Sequence, residues 1–117
     1  MFSFSEKLRL LTHIHFDYVF HKPQKVTSSE LTILGRFNEL GYPRIGFAIT
    51  KKNIKLANER NRIKRLTREY FRLHQHELLS MDFVIIARKV IVDLDNNEII
   101  KILDKLWRRH HLLYRNS

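Results

Sequence analysis

Residues 59–73 read ERNRIKRLTREYFRL, and this stretch decides the fold because its two helical faces differ in character. When successive residues are placed about 100° apart around a helix, the main apolar side chains fall within an arc of roughly 80°. These side chains are Ile63, Leu66, Tyr70 and Leu73. The sequence therefore predicts a helix over residues 58–79 that rests on a sheet through this arc.

The opposite face of the predicted helix is cationic. Within an arc of about 140° it carries Asn61 and five basic residues, while Arg62 and Glu69 lie near its boundary. The five are Arg60, Lys64, Arg65, Arg68 and Arg72. A helix face that is merely solvated usually mixes charge signs to gain i,i+4 pairs. A face without acids costs self-repulsion that a polyanion relieves, so we interpret it as a phosphate-binding surface.

The composition of the whole chain agrees with a polyanionic partner. The 117 residues carry 22 Lys and Arg against 12 Asp and Glu, a net charge of +10. Nine basic and two acidic residues between positions 51 and 72 supply +7 of that charge. The length suits a single RNA-binding domain, residues 1–117.

The residue types that are missing exclude several classes of protein. The chain has no cysteine, which rules out disulfides, thiolate metal sites and cysteine nucleophiles and fits a cytoplasmic location. The first ten residues lack the apolar centre of a signal peptide. No apolar run reaches the roughly 18 residues of a membrane span, so we expect no membrane association.

Strands are predicted on both sides of the basic helix. Residues 83–87 form a continuous apolar run, typical of a strand buried on both faces. Residues 26–37 form an extended segment that a break would divide into two strands. Residues 44–50 alternate between apolar and small side chains. The last two segments flank a Gly-Tyr-Pro turn, so they are predicted to form an antiparallel hairpin.

Two further helices complete the predicted order. Thr12 is the expected N-cap of a helix over residues 12–21, which ends before Pro23. Asp95 and Glu98 have the spacing of a capping box at the start of a helix over residues 95–114. Its apolar face comprises Ile99, Leu103, Leu106, His110 and Leu113. The order α-β-β-(β)-α-β-α indicates an α+β fold, a two-layer sandwich with helices over the sheet.

The residues 59–69, with Arg60-Asn61-Arg62 at their centre, strongly resemble the signature of the bacterial ribonuclease P protein subunit. The resemblance covers nearly the whole chain and extends to the segments 16–20, 44–46, 51–52 and 82–88. Residues 106–109, Leu-Trp-Arg-Arg, resemble the final helix of gammaproteobacterial members. Residues 55–58, Lys-Leu-Ala-Asn, depart from the Gly-x-Ala-Val that often precedes the signature.

The resemblance implies a function. In that family an RNA is the catalyst, and it uses Mg²⁺ to remove the 5′ leader of precursor tRNA by hydrolysis. The chain is then an accessory subunit of an endoribonuclease, without catalytic side chains. Its partners are the catalytic RNA and precursor tRNA, Mg²⁺ is held mainly by RNA, and no obligate protein partner is expected. The resemblance also implies a left-handed parallel crossover between strands 44–50 and 83–88.

The basic helix is the expected contact with the catalytic RNA. Arginine and lysine neutralise phosphates, and an arginine can fork across two phosphate oxygens. Asn61 can donate to and accept from a 2′-hydroxyl or a base edge. Helix capping is the alternative role for Asn61, although Asn58 competes for that position. The predicted set is Arg60, Asn61, Arg62, Lys64, Arg65, Arg68 and Arg72.

A second site is expected for the single-stranded leader. Single strands are held by aromatic stacking beside a cationic groove. Phe16 and Phe20 lie one turn apart on the first helix, and the resemblance places them in a cleft against the sheet. Lys51 and Arg88, at strand ends, are expected to supply the charge. From the residues alone, the alternative is that both phenylalanines belong to the core.

The residue patterns give little support for a metal site or a catalytic site in the protein. His13 and His15, like His74 and His76, are about 200° apart on a helix and cannot share a metal ligand position. No catalytic triad, paired carboxylates or glycine-rich phosphate loop stands out. Two alternatives to the subunit remain. A ribosomal or RNA-chaperone protein shares the basic helix, whereas an independent protein nuclease lacks an acid–base or metal cluster.

Overall fold

The structure is a computed structural model, and it describes residues 6–115. Three helices and four strands follow one another in the order α-β-β-β-α-β-α, which confirms the predicted α+β class. They are α1 (His13–His21), β1 (Gln24–Thr27), β2 (Leu31–Phe37), β3 (Arg44–Phe47), α2 (Ala57–His74), β4 (Met81–Ala87) and α3 (Asn96–Arg115). Short 3-10 turns precede α1 at Glu6–Leu8 and α3 at Lys89–Asp93.

The four strands form one sheet in the order β1-β2-β4-β3. Strand β4 pairs with β2 in antiparallel and with β3 in parallel orientation. The predicted antiparallel hairpin between residues 26–37 and 44–50 is therefore wrong, because β4 lies between β2 and β3. The hairpin forms instead within the first extended segment, where β1 pairs with β2. The parallel pairing of β3 with β4 is as predicted, while the handedness of its crossover stays a prediction.

The helix starts follow the capping residues in the sequence. The Thr12 side chain accepts a hydrogen bond from the amide of His15, at 3.4 Å. Asp95 accepts from the amide of Glu98 at 2.8 Å, and Glu98 accepts in return from the amide of Asp95 at 3.0 Å. This reciprocal pair confirms the capping box. Helix α2 ends at His74, earlier than the predicted residue 79.

The main core lies between the sheet and the pair α2 and α3. Alternate β4 side chains, including Phe83 and Ile85, join it from the sheet. At its centre, the ring of Trp107 is stacked on that of Tyr70, with centroids 5.2 Å apart, and meets Phe83 edge-on. The shorter α1 packs on the opposite face of the sheet, where Val19 joins Leu34 and Val84 in a smaller cluster. This helix lies outside the two layers that were predicted.

The apolar face of α2 is rotated slightly from the predicted one. Leu66 and Tyr70 are buried as expected, but Leu73 is 67% exposed. Thr67 and Phe71 are buried in its place, since α2 packs against α3 as well as the sheet. The Thr67 hydroxyl is satisfied within the helix, because it donates to the carbonyl of Ile63 at 2.8 Å.

The predicted face of α3 is buried from Ile99 to His110, whereas Leu113 in the last turn is exposed. His110 ties α3 to the first two strands. One ring nitrogen, Nε2, lies 2.8 Å from the carbonyl of Ile33, and Nδ1 lies 2.8 Å from the side-chain nitrogen of Gln24. These partners require a neutral ring that donates from Nε2 and accepts at Nδ1. Burial lowers the pKa of His110 to about 4, although the bond to Ile33 raises it.

Candidate nucleic-acid interface

The cationic face of α2 points away from the core and is open to a partner. Asn61 and Arg65 are exposed, and Lys64, Arg68 and Arg72 are partly exposed. In the part of the chain that the structure describes, none of these four cations takes part in an ion pair. Asn61 lies in the second turn of α2, too far from its start to be a cap. The face thus offers uncompensated charge and a free amide.

The two arginines of the Arg-Asn-Arg motif differ from these four cations because both bind the protein itself. Arg60 Nη1 donates to the carbonyls of Ile54 and Lys55, at 2.8 and 2.9 Å, and so holds the segment before α2. Arg62 reaches the segment before α3, where it binds the carbonyl of Leu94 at 3.0 Å. The sequence placed Arg62 at the boundary of the cationic arc, but it gave no sign of these distant partners.

A groove of about 250 Å³ connects the basic helix to the other face of the molecule. Arg9, Lys64 and Arg68 line it together with Phe16 and Phe47. The Arg68 guanidinium lies 5.6 Å from the centre of the Phe47 ring. Partial burial, and then the positive charge of Arg9, lower the pKa of Arg68. Arg9 belongs to a segment that the sequence analysis did not connect with binding, since only the fold brings it to α2.

The two phenylalanines of α1 have different surroundings. Phe16 is partly buried against Gly46, where a Cβ atom would approach the ring to 2.6 Å, and against the small cluster around Leu10. Gly46 therefore allows the ring to lie directly on the backbone of β3. Phe20 is 45% exposed and outside both core clusters. Phe16 forms a wall of the site, while Phe20 has a ring face that a base can reach.

The predicted cations Lys51 and Arg88 lie at one edge of the sheet. Lys51 is in the turn after β3, and Arg88 directly follows β4. Because β3 and β4 are parallel, their carboxyl ends meet at the same edge. Both side chains are exposed. The structure thus places two cations at the edge of the sheet where β3 and β4 end.

Two hydroxyl groups lie close to Arg88. Thr27 Oγ1 and Thr32 Oγ1 are 2.6 Å apart on paired strands, and each is 3.4 Å from Arg88 Nη2. No sequence pattern predicted this pair, because it arises from the β1–β2 register. Such a group of donors and acceptors can bind a sugar hydroxyl, a phosphate or a base edge.

The acids of the described chain are occupied or scattered. Asp82 is paired with Arg44, and Asp104 binds the Tyr70 hydroxyl and Arg108. Burial raises the pKa of Asp104, but the bonds from Tyr70 and Arg108 outweigh it and lower the pKa overall. Between residues 6 and 115 no three histidine or acidic side chains are placed to share a metal ion. Nor is any helix in that range long and apolar enough to cross a membrane.

Comparison with known proteins assigns this chain to a family. The family model Ribonuclease P matches residues 4–111. The ribonuclease P protein component of Proteus mirabilis is 60% identical over 115 residues, which are 98% of this chain and 97% of the relative. That of Cronobacter sakazakii is 59% identical over the same shares of both chains.

Solved structures agree with the sequence comparison. A mutant RNase P protein from Staphylococcus aureus, described as defective in mRNA degradation activity, superposes with a TM-score of 0.85 at 25% identity, covering 91% of this chain and 90% of that one. The RNase P protein of Thermotoga maritima gives a TM-score of 0.75 at 27% identity, covering 86% and 96%. With a family model that spans most of the chain and relatives that align along nearly all of it, the chain belongs to the ribonuclease P protein family.

Proposed function

We propose that this chain is the protein subunit of a ribonuclease P, which binds the catalytic RNA through α2 and the 5′ leader of precursor tRNA beside α1. The observation that carries the proposal is the row Lys64, Arg65 and Arg68, which has no acidic partner in residues 6–115 and continues into the groove at Phe16. Charge of this kind binds a phosphate backbone through counterion release.

The subunit contributes binding and not bond cleavage. A cationic groove with an exposed aromatic ring holds a flexible strand in place, because stacking on a ring tolerates every base. Phe20, on α1 and outside the residues that line the groove, offers an exposed ring, and Lys51 and Arg88 offer charge at the carboxyl ends of β3 and β4. The leader then lies close to the helix that binds the catalytic RNA.

Between residues 6 and 115, no group of three acidic or histidine side chains is placed to take a Mg²⁺ ion of the reaction. Mg²⁺ takes carboxylates, waters and phosphate oxygens as ligands. Asp82 and Asp104 are committed to arginines, and Glu59 is paired with Arg62. We therefore assign the metal ions mainly to the RNA. The absence of cysteine is compatible with work in the reducing cytoplasm.

Cleavage of precursor tRNA by reconstituted components tests the proposal. Purified protein and Mg²⁺ are incubated with precursor tRNA, with and without the catalytic RNA from the same source. We expect cleavage at the mature 5′ end only when the RNA is present, and faster cleavage at low salt when the protein is added. Cleavage by the protein alone would contradict the proposal, as would a protein without effect on the RNA-catalysed reaction.

A further inference from the structure

We infer that Arg62, the second arginine of the Arg-Asn-Arg motif, is a positioning residue that braces α2 and does not itself contact RNA. The inference refines the proposed function, since it assumes that α2 binds the catalytic RNA. It distinguishes the cations of α2 that contact RNA from one that holds the helix in position.

Most donors of Arg62 are occupied by protein acceptors. A guanidinium has five N–H donors. Nε and Nη2 lie 3.1 and 3.0 Å from the carboxylate of Glu59. Nη1 donates to the carbonyl of Leu94 and the side chain of Asn96, at 3.0 and 2.9 Å, and Nη2 donates to the carbonyl of Val92 at 3.3 Å. Four hydrogen bonds and one ion-pair contact therefore hold the guanidinium on protein atoms.

The charge of Arg62 is also compensated. Its carboxylate partner Glu59 lies on the same helix, and the Arg62 side chain is only 20% exposed. Arg65, one turn further along α2, is exposed and takes part in none of the described ion pairs or side-chain hydrogen bonds. Two arginines of one helix therefore have opposite environments, and they form a matched pair for experiment.

The partners of Arg62 explain what the brace does. Val92 and Leu94 belong to the junction between β4 and α3, which begins at Arg88, and Asn96 is the first residue of α3. Arg62 thus fastens the first half of α2 to the segment that leaves the sheet beside the proposed leader site. Three of the five contacts join elements about 30 residues apart in the chain. Loss of the brace changes how Asn61 and Arg65 are presented to RNA, although both side chains remain.

The experiment compares alanine and lysine at the two positions in the full chain. Binding to a transcript of the catalytic RNA is measured over a range of salt concentrations, under conditions where circular dichroism shows every variant to be folded. Arg65→Ala should flatten the slope of log K against log salt by about one unit, and Arg65→Lys should bind nearly as wild type. These two variants calibrate a direct phosphate contact.

Arg62 variants should behave differently. Lysine preserves the charge but cannot make the several hydrogen bonds of a guanidinium. Arg62→Lys and Arg62→Ala should therefore both bind RNA roughly tenfold more weakly, a loss equivalent to about one charge-assisted hydrogen bond. The salt slope should stay that of wild type in both. Asn96→Ala should weaken binding less, and should add little when combined with Arg62→Ala, because the two share one contact.

Two results would overturn the inference. A flattened slope in Arg62→Ala that lysine restores would show a direct phosphate contact. Wild-type affinity in both folded Arg62 variants would show that the brace matters for stability alone. If instead the wild-type chain binds the catalytic RNA no better than an unrelated RNA of equal length, the proposed function fails, and this comparison does not depend on the Arg62 variants.

Discussion

Arg44 on β3 and Asp82 on β4 lie directly opposite each other and are joined by two hydrogen bonds, of 2.9 and 2.8 Å. The Asp82 carboxylate is buried and accepts a third bond from the side chain of Asn38 at 2.9 Å. The hydrogen bond from Arg44 to Asp82 is the main cause of a raised pKa of Arg44. The pair fixes the register of two parallel strands that are separated in the chain by the whole of α2.

Removal of this buried carboxylate should destabilise the fold. In Asp82→Ala the Arg44 guanidinium keeps its charge without a partner, and we expect the free energy of unfolding to fall by roughly 3–5 kcal/mol. Urea unfolding measures the loss. Asp17→Ala, at an exposed position on α1, is the control and should unfold as wild type. Cleavage by the assembled enzyme should fall only with the folded fraction, whereas abolished cleavage in a folded Asp82 variant would reveal a catalytic carboxylate.

Two leucines of α2 test the phase of the helix. Leu66 is 5% exposed and Leu73 is 67% exposed. Leu66→Ala should cost roughly 2–5 kcal/mol of stability, through lost burial and the cavity that remains. Leu73→Ala should change stability by less than about 0.5 kcal/mol. Thermal and urea unfolding of the two variants provide the comparison, and equal losses would mean that the buried face of α2 is placed incorrectly.

The buried His110 should make stability depend on pH. The ring is neutral in the fold, with a pKa lowered to about 4, whereas in the unfolded chain its pKa is near 6.5. Above pH 6.5 both states are neutral and the stability is fully present. As the pH falls from about 6.5 to about 4, only the unfolded state takes up the proton, and up to roughly 3 kcal/mol is lost.

His110→Gln isolates this contribution, since glutamine does not titrate. The variant should be less stable than wild type at pH 7.5, and the gap between the two should narrow as the pH approaches 4. Chemical unfolding at a series of pH values gives the two curves. Parallel curves would show that His110 is not the titrating group.

Phe20 should affect leader binding with little effect on the fold. Alanine there should weaken the affinity of the holoenzyme for precursor tRNA by roughly 1–3 kcal/mol, the value of one lost base stack. Mature tRNA, which has no leader, should bind as before, and a leader of one or two nucleotides should remove the difference. An equal loss for precursor and mature tRNA would exclude a stacking role.

Phe16 should give a mixed result, because its ring also packs on Gly46 and the cluster around Leu10. Phe16→Ala should lower stability as well as leader binding. Gly46→Ala should displace the same ring, since the new methyl group would meet it at 2.6 Å. A Gly46→Ala protein with wild-type stability and leader affinity would show that the ring has room to move without consequence.

Local features of the fold were predictable because local interactions cause them. The Thr12 cap, the Asp95–Glu98 box and the buried strand at residues 81–87 each depend on neighbours in the chain. The cationic face of α2 was equally visible, since one helix contains it. The family resemblance added the parallel pairing of β3 with β4, which residue patterns alone did not give.

The order of the strands in the sheet and the hydrogen-bond partners of Arg62 could not be predicted from local sequence patterns. The Gly-Tyr-Pro turn favoured pairing of β2 with β3, yet the apolar β4 gains more by lying between them, buried on both faces. Phe71 is buried and Leu73 is exposed because α3 covers part of α2, and this coverage depends on tertiary packing. The partners of Arg62 lie about 30 residues away along the chain, and no spacing rule connects them.

The position of β4 has a consequence for synthesis of the chain on the ribosome. The strands β1, β2 and β3 emerge first, but β2 and β3 have no mutual pairing and wait for the strand that separates them. Until residues 81–87 are made, both present an open backbone edge, which is the feature that promotes association between unfinished chains. The nascent protein can complete its sheet only when about three quarters of it has been translated. A pause in translation before β4 would therefore lengthen the period in which the unfinished chain is most prone to aggregate.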